Sequence, residues 1–144
     1  MAQVSNKKLG NDFEREFCEI LSKKGYWVHN FANRAAGQPM DVIAVKYGAA
    51  YLIDCKVCLN NRFTLSRVED NQRRSNSRWF ECGNGVGWIA VKVNNAILML
   101  SMVYLDMVYA TEGKKSLNLN ALLENGLLLD EWLEHNEKRK VVSV

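Results

Sequence analysis

The stretch 40-MDVIAVKYGAAYLIDCKV-57 decides the fold. Two apolar runs, MDVIAV (40–45) and AYLIDCKV (50–57), flank KYGA, so the spacing predicts a β-hairpin with a Gly-containing turn. Asp41, Asp54 and Lys56 stand among Val, Ile, Ala and Leu. A charge withdrawn from water costs several kcal/mol unless it is paired or bound to metal, so these residues need partners. Side chains alternate faces along a strand. Leu52, Asp54 and Lys56 therefore share one face, and Tyr51, Ile53, Cys55 and Val57 share the other, whose apolar character marks it as the more buried. A paired hairpin brings Asp41 near Asp54, and two carboxylates and an ammonium converge at one end of the sheet.

Outward from the hairpin, residues 11–24 have helical spacing, with Phe13, Phe17, Ile20 and Leu21 on one stripe and Gly25 as a stop. YWVHNF (26–31) reads as a strand and NRAAGQP (33–39) as a loop. LNNRF (59–63) reads as a loop or short extension. Residues 65–83 read as a helix, with Ser66 and Gly83 as candidate caps. GWIAVKV (87–93) and AILMLSMVYL (96–105) read as strands across an Asn94-Asn95 turn. Residues 119–140 carry helical material interrupted by Gly126. The order α-β-β-β-α-β-β with a helical tail implies an α/β sheet covered by helices. The whole chain, 1–144, is expected to be a single domain, with a core over about 6–105 and a C-terminal extension over 106–144.

Composition excludes several classes. Of 144 residues 48% are hydrophobic and 24% charged, with one Pro and nine Gly, which argues against a disordered chain. No apolar run approaches the roughly 20 residues of a membrane helix, and MAQVSNKKLG lacks a signal-peptide h-region. A cytoplasmic protein without membrane contact is expected. Cys55 and Cys58 have the spacing of half a zinc site, but no second Cys pair exists and His29 and His135 are far apart, so free thiols are expected. GNGVG (83–87) lies between helix and strand, the reverse of a phosphate-binding Gly loop, and reads as a helix stop.

The net charge of +3 is modest, but its distribution is not even. Arg62, Arg67, Arg73, Arg74 and Arg78 face only Glu69 and Asp70 in that segment; Lys7-Lys8 and Lys138-Arg139-Lys140 are further basic points. Such clusters suit a phosphate backbone, or equally a solvated helix face.

Two carboxylates side by side repel, and a divalent cation removes the conflict. Oxygen ligands suit Mg²⁺ or Mn²⁺, and a hard cation beside a Lys suits phosphodiester hydrolysis. A buried Asp–Lys ion pair accounts for the same pattern. On the first helix, Glu14 and Glu16 flank the apolar stripe on opposite edges, and helix geometry does not choose between them as a third acid.

The order of a helix Glu, then P-M-D, then I-D-C-K resembles the PD-(D/E)xK nuclease superfamily, and within it the Holliday junction resolvases of the RecU and Hjc types. The resemblance covers about residues 6–93. NKKLGNDFERE resembles the family's opening, in which a Glu four positions after the Gly is catalytic, and this picks out Glu14. Asp41, Asp54 and Lys56 match its metal-binding and catalytic positions. FTLSRVEDNQ (63–72) resembles the RecU segment whose Gln lies near the site, which is Gln72 here. The chain departs in having Asp54 where most relatives carry Glu, and in lacking the RecU stalk before Asp41.

The resemblance implies a restriction-endonuclease-like mixed sheet flanked by helices, with an αβββαβ core. It implies a homodimeric endonuclease that nicks four-way DNA junctions in pairs. It uses Mg²⁺, held by Glu14, Asp41 and Asp54, with no small-molecule cofactor. Lys7, Lys8, Arg34, Arg62, Arg67, Arg73 and Arg74 are the expected DNA contacts. The setting is a bacterial or archaeal cell, or the host of a virus. A superfamily nuclease with another DNA target and a non-catalytic DNA-binding module of the same fold are the alternatives.

Overall fold

The computed structural model describes residues 5–31, 40–111, 113 and 115–139. The central hairpin forms as its sequence dictates. Strands β1 (Trp27–Asn30), β2 (Val42–Lys46) and β3 (Ala49–Cys58) are antiparallel neighbours. Lys46 faces Ala49, leaving Tyr47 and Gly48 as a turn with φ of 52° and 76°. Both residues are left-handed, the hairpin geometry whose twist matches the flanking strands.

Helix α1 (Asn6–Lys23) precedes β1 and begins earlier than its apolar stripe. Ser5 caps it, accepting a hydrogen bond from the Lys8 N–H at 3.1 Å, and Lys8 pairs with Asp12 one turn on. Lys7 and Lys8 therefore lie in the first turn of this helix rather than before it.

After β3 the chain makes a short strand β4 (Arg62–Thr64), a 3₁₀ turn (Leu65–Arg67) and helix α2 (Asp70–Glu81). Ser66 lies in the 3₁₀ turn, and the cap of α2 is Glu69. Gly83, with φ of 92°, ends the helix. This crossover lets β5 (Trp88–Val93) lie parallel to β3, with Asp54 beside Ile89 and Lys56 beside Val91. β6 (Ala96–Ser101) returns antiparallel.

The apolar run 96–105 is not one strand: Ser101 ends β6, and helix α3 (Met102–Thr111) follows. The Ser101 hydroxyl accepts from the Tyr104 N–H, and the Met102 N–H donates to the Gly87 carbonyl, so the backbone leaves the ladder there. An unbroken apolar run has no period to reveal such a switch.

β7 (Ser116–Asn118) pairs with β4, and α4 (Leu119–Asn125), β8 (Leu127–Leu128) and α5 (Leu129–Glu137) complete the described chain. The main sheet has the order β1-β2-β3-β5-β6-β8, mixed and covered by helices. The segment expected as an extension supplies β8 to this sheet, and Trp132 of α5 is fully buried. Among the described residues no helix is long and apolar enough to cross a membrane.

The sheet separates two apolar clusters. Phe13, Phe17 and Leu21 of α1 and Trp132 of α5 pack on the face of Tyr51, Ile53 and Cys55. Leu105, Val108 and Leu122 pack with Cys58, Ile89 and Val91 on the other. Cys55 and Cys58 thus point to opposite faces, and all four cysteines are free thiols. The face expected to be more exposed is also covered: Leu52 and Asp54 are buried.

Candidate active site

The site forms where β2 parts from its neighbours. Val42 and Ile53 are the last paired residues, so Cys55 on β3 has no β2 backbone acceptor. The Asp41 carboxylate fills that place, its Oδ2 accepting from the Cys55 N–H at 2.9 Å. The Asp41 carbonyl accepts from the Phe31 N–H at 2.8 Å, which ties the residue to β1 as well. Asp41 is thus fixed between two strands.

Asp54 and Lys56 share the face that the strand period assigned them, and Asp54 Oδ2 lies 3.1 Å from Lys56 Nζ. Asp54 is 1% exposed. Its pKa is raised well above the usual carboxylate range, by burial first and by the Asp41 charge second, with Lys56 opposing. Oδ2 is buried, and the Lys56 approach does not align as a hydrogen bond, so this oxygen lacks a donor.

Helix α1 decides between its acids. Glu14 faces the site: burial, and then the Asp41 carboxylate, push its pKa up to about 7, with Lys56 pulling it down. Glu16 points the other way and pairs with Lys92, Oε2 to Nζ at 2.6 Å. Glu19 is exposed. The Lys92 partner was invisible in the sequence, since 76 residues separate it from Glu16.

Gln72 is buried, but its side chain works on its own helix. Its Oε1 accepts from the Glu69 N–H at 3.0 Å, closing a capping box. That bond positions the start of α2, and among the described residues Gln72 makes no hydrogen bond to Glu14, Asp41, Asp54 or Lys56.

The basic residues divide by what they touch. Lys8 pairs with Asp12. Arg73 pairs with Asp106 and lies over the Tyr109 ring. Arg67 donates from Nη1 to the Val57 carbonyl at 2.8 Å, and Arg62 from Nη1 to Ser116 Oγ at 2.8 Å. Neither of these two, nor Lys7 or Arg74, has a carboxylate partner among the described residues. Arg34 lies outside the described residues.

Among the described residues no three His, Cys, Asp or Glu side chains gather as they would around a bound metal ion. The donor set nevertheless suits a hard cation. Asp41 and Asp54 are neighbouring carboxylates that raise the cost of a second charge, and Asp54 Oδ2 is a buried acceptor without a hydrogen-bond donor.

The fold has a counterpart among solved structures. The structure of Archaeoglobus fulgidus Hjc, described as a Holliday junction resolvase from an archaeal hyperthermophile, superposes with a TM-score of 0.65. The match covers 86% of this chain and 99% of that one at 19% identity, which establishes a shared fold. No curated protein sequence matches. The sequence model of the archaeal Holliday junction resolvase family matches residues 5–141, a span that takes in every site residue above and the C-terminal helices alike. With the family model matching along nearly its whole length, and the motifs of residues 6–93 and the fold in agreement with it, the chain belongs to the archaeal Holliday junction resolvase (Hjc) family.

Proposed function

We propose that the protein is a divalent-metal-dependent endonuclease that resolves four-way DNA junctions by paired nicks. The observation that carries the chemistry is the meeting of Asp41, Asp54 and Lys56 at the point where β2 leaves the sheet, with Glu14 facing them from α1. Family membership supplies the substrate.

Asp41 and Asp54, with Glu14 facing them from α1, would hold Mg²⁺ or Mn²⁺. The cation, when bound, supplies an activated water and neutralises charge on the phosphoryl oxygens. Asp41 is pre-set for its role because the Cys55 N–H fixes one oxygen and leaves the other to serve as ligand. Lys56, held at Asp54, orients the attacking water or offsets charge on the phosphoryl group. Glu14 stands beside Asp41 and Lys56, where burial and the Asp41 charge raise its pKa to about 7, so a bound cation would ease its ionisation. Gln72 acts on the site through the position of α2.

A four-way junction has approximate two-fold symmetry, so two copies of the chain related by a two-fold axis would cut opposing strands. Lys7, Lys8, Arg34, Arg62, Arg67, Arg73 and Arg74 remain the proposed backbone contacts, Lys8 and Arg73 by exchanging their carboxylate partners for phosphate. The reaction is placed in the cytoplasm, where the DNA is. The test is incubation with Mg²⁺ and matched four-way and linear DNA. Cleavage of the junction alone is expected; equal cleavage of both would overturn the junction reading in favour of a nuclease with another DNA target. No cleavage with either Mg²⁺ or Mn²⁺ would favour a non-catalytic DNA-binding module.

A further inference from the structure

Two clefts flank the first turns of α1, and their chemistry is opposite. One, of about 280 Å³, lies between Asp12 and Glu16 of the helix and Lys92 of β5, so two acids outnumber one base. The other, of about 420 Å³, lies between Asn6 and Gly10 of the helix and the β3–β4 corner. Lys56, Arg62 and Arg67 line it, with Asn60 and Thr64, and no carboxylate is among its described lining residues.

The second cleft is built to hold an anion. Arg67 is anchored through Nη1 on the Val57 carbonyl, one residue past Lys56, and its guanidinium lies 5.8 Å from the centre of the Phe63 ring. Arg62 is anchored on Ser116 of the neighbouring strand. Each guanidinium has five N–H donors, so a single anchoring bond fixes the group and leaves donors for a ligand. Lys7 and Lys8 crowd the positive end of the α1 dipole, which no acid in the first turn offsets. In the cleft itself, Arg62 and Arg67 have no carboxylate partner among the described residues, so an anion there would meet two uncompensated guanidinium groups.

We propose that this cleft seats one phosphodiester of the strand being cut, adjacent to the phosphate that reacts at Asp41, Asp54 and Lys56, with Arg62 and Arg67 as its holding groups. Lys56 belongs to both places and sets their spacing. The proposal rests on the nuclease reading above and adds to it a defined position for the neighbouring phosphate.

The test uses a four-way junction in which single phosphates near the cut are replaced, one at a time, by neutral methylphosphonates. Wild type and the Arg62→Gln/Arg67→Gln double variant are compared for binding across a salt series. One neutral linkage should weaken wild-type binding roughly tenfold, the scale of a lost charge-assisted contact, and leave the double variant unaffected. Each single variant, Arg62→Gln or Arg67→Gln, should lower the salt slope by about 1. Arg15→Gln, on an exposed flank of α1, should change neither. Equal penalties for both proteins at every linkage, with the slope unchanged, would overturn the proposal while leaving the nuclease intact. Wild type that neither binds nor cuts the junction would overturn the functional reading itself. If the double variant is poorly folded by circular dichroism, Arg62→Lys and Arg67→Lys take its place. Those should keep the slope and lose selectivity for the single linkage; an unchanged linkage profile would count against the guanidinium contacts.

Discussion

Asp54 Oδ2 sits 3.1 Å from Lys56 Nζ on a strand where the Asp is 1% exposed and the Lys reaches the surface. The pair is opposed by a second carboxylate: the Asp41 charge raises the Asp54 pKa, while Lys56 lowers it. A carboxyl whose pKa is raised in the folded state favours folding while protonated, and that stability is lost as pH rises through the folded pKa. At pH 7 Asp54 therefore weakens the fold.

Asp54→Asn should accordingly raise the midpoint of thermal unfolding at pH 7 by a few degrees, on the order of 1 kcal/mol. The same change should lower nicking by about 100-fold or more. Differential scanning fluorimetry and a junction-nicking assay, on one preparation, check both signs together. A destabilised variant would mean that the Lys56 pairing outweighs burial and the Asp41 charge.

Glu14 carries the second pH signature. Its pKa moves from 4.5 to about 7 on folding, so its protonated form favours the fold fully below pH 4.5. That contribution is lost as pH rises from 4.5 through about 7. In Glu14→Gln the fall of unfolding temperature across this window should flatten, as measured by thermal melts at half-unit intervals of pH.

Metal should act in the opposite direction to pH. Millimolar Mg²⁺ at pH 7 should raise the wild-type melting temperature, since a ligand that binds only the folded state stabilises it by mass action. Chelation should reverse the rise. Asp54→Asn should respond weakly, and isothermal calorimetry should show the same loss of binding.

Glu14 and Glu16 should separate cleanly. Glu16→Gln breaks a half-exposed pair with Lys92 and should cost less than about 1 kcal/mol, with nicking within about twofold of wild type. Glu14→Gln should reduce nicking by about 100-fold. A nicking assay on the two variants at matched stability decides the assignment.

Trp132→Ala should cost about 3–5 kcal/mol. The ring lies at 6.1 Å from Tyr26, 5.0 Å from Tyr51 and 5.9 Å from Trp88, and no part of the residue is exposed. Urea titration followed by circular dichroism measures the loss.

The hairpin at 40–57 was legible because its two strands, its Gly turn and its charges each obey a short-range rule. Glu14 was not selected by such a rule: two acids flank one stripe, and only the distant Lys92 shows which points away. The resemblance to a known family makes that choice, and in the structure Glu14 is the acid beside Asp41 and Lys56 while Glu16 pairs with Lys92. The strand–helix switch at Ser101 and the strand β8 were not legible. The first lies inside an unbroken apolar run, and the second is two residues long and exists only because β6 offers it an edge. Gln72 is buried with its Oε1 in the capping box of its own helix, a bond that the segment's resemblance to a family motif does not reveal.

The parallel ladder between β3 and β5 has a consequence for how the molecule comes apart. Every other neighbouring pair in the main sheet is antiparallel, so the sheet consists of two hairpin-built halves stitched by this one ladder. Asp54 and Lys56 are part of the stitching. Any opening between the halves would therefore disturb the reactive side chains. The amide hydrogen of Lys56, which faces β5, should exchange only with global unfolding, while that of Cys55, bonded to the Asp41 carboxylate, should exchange sooner.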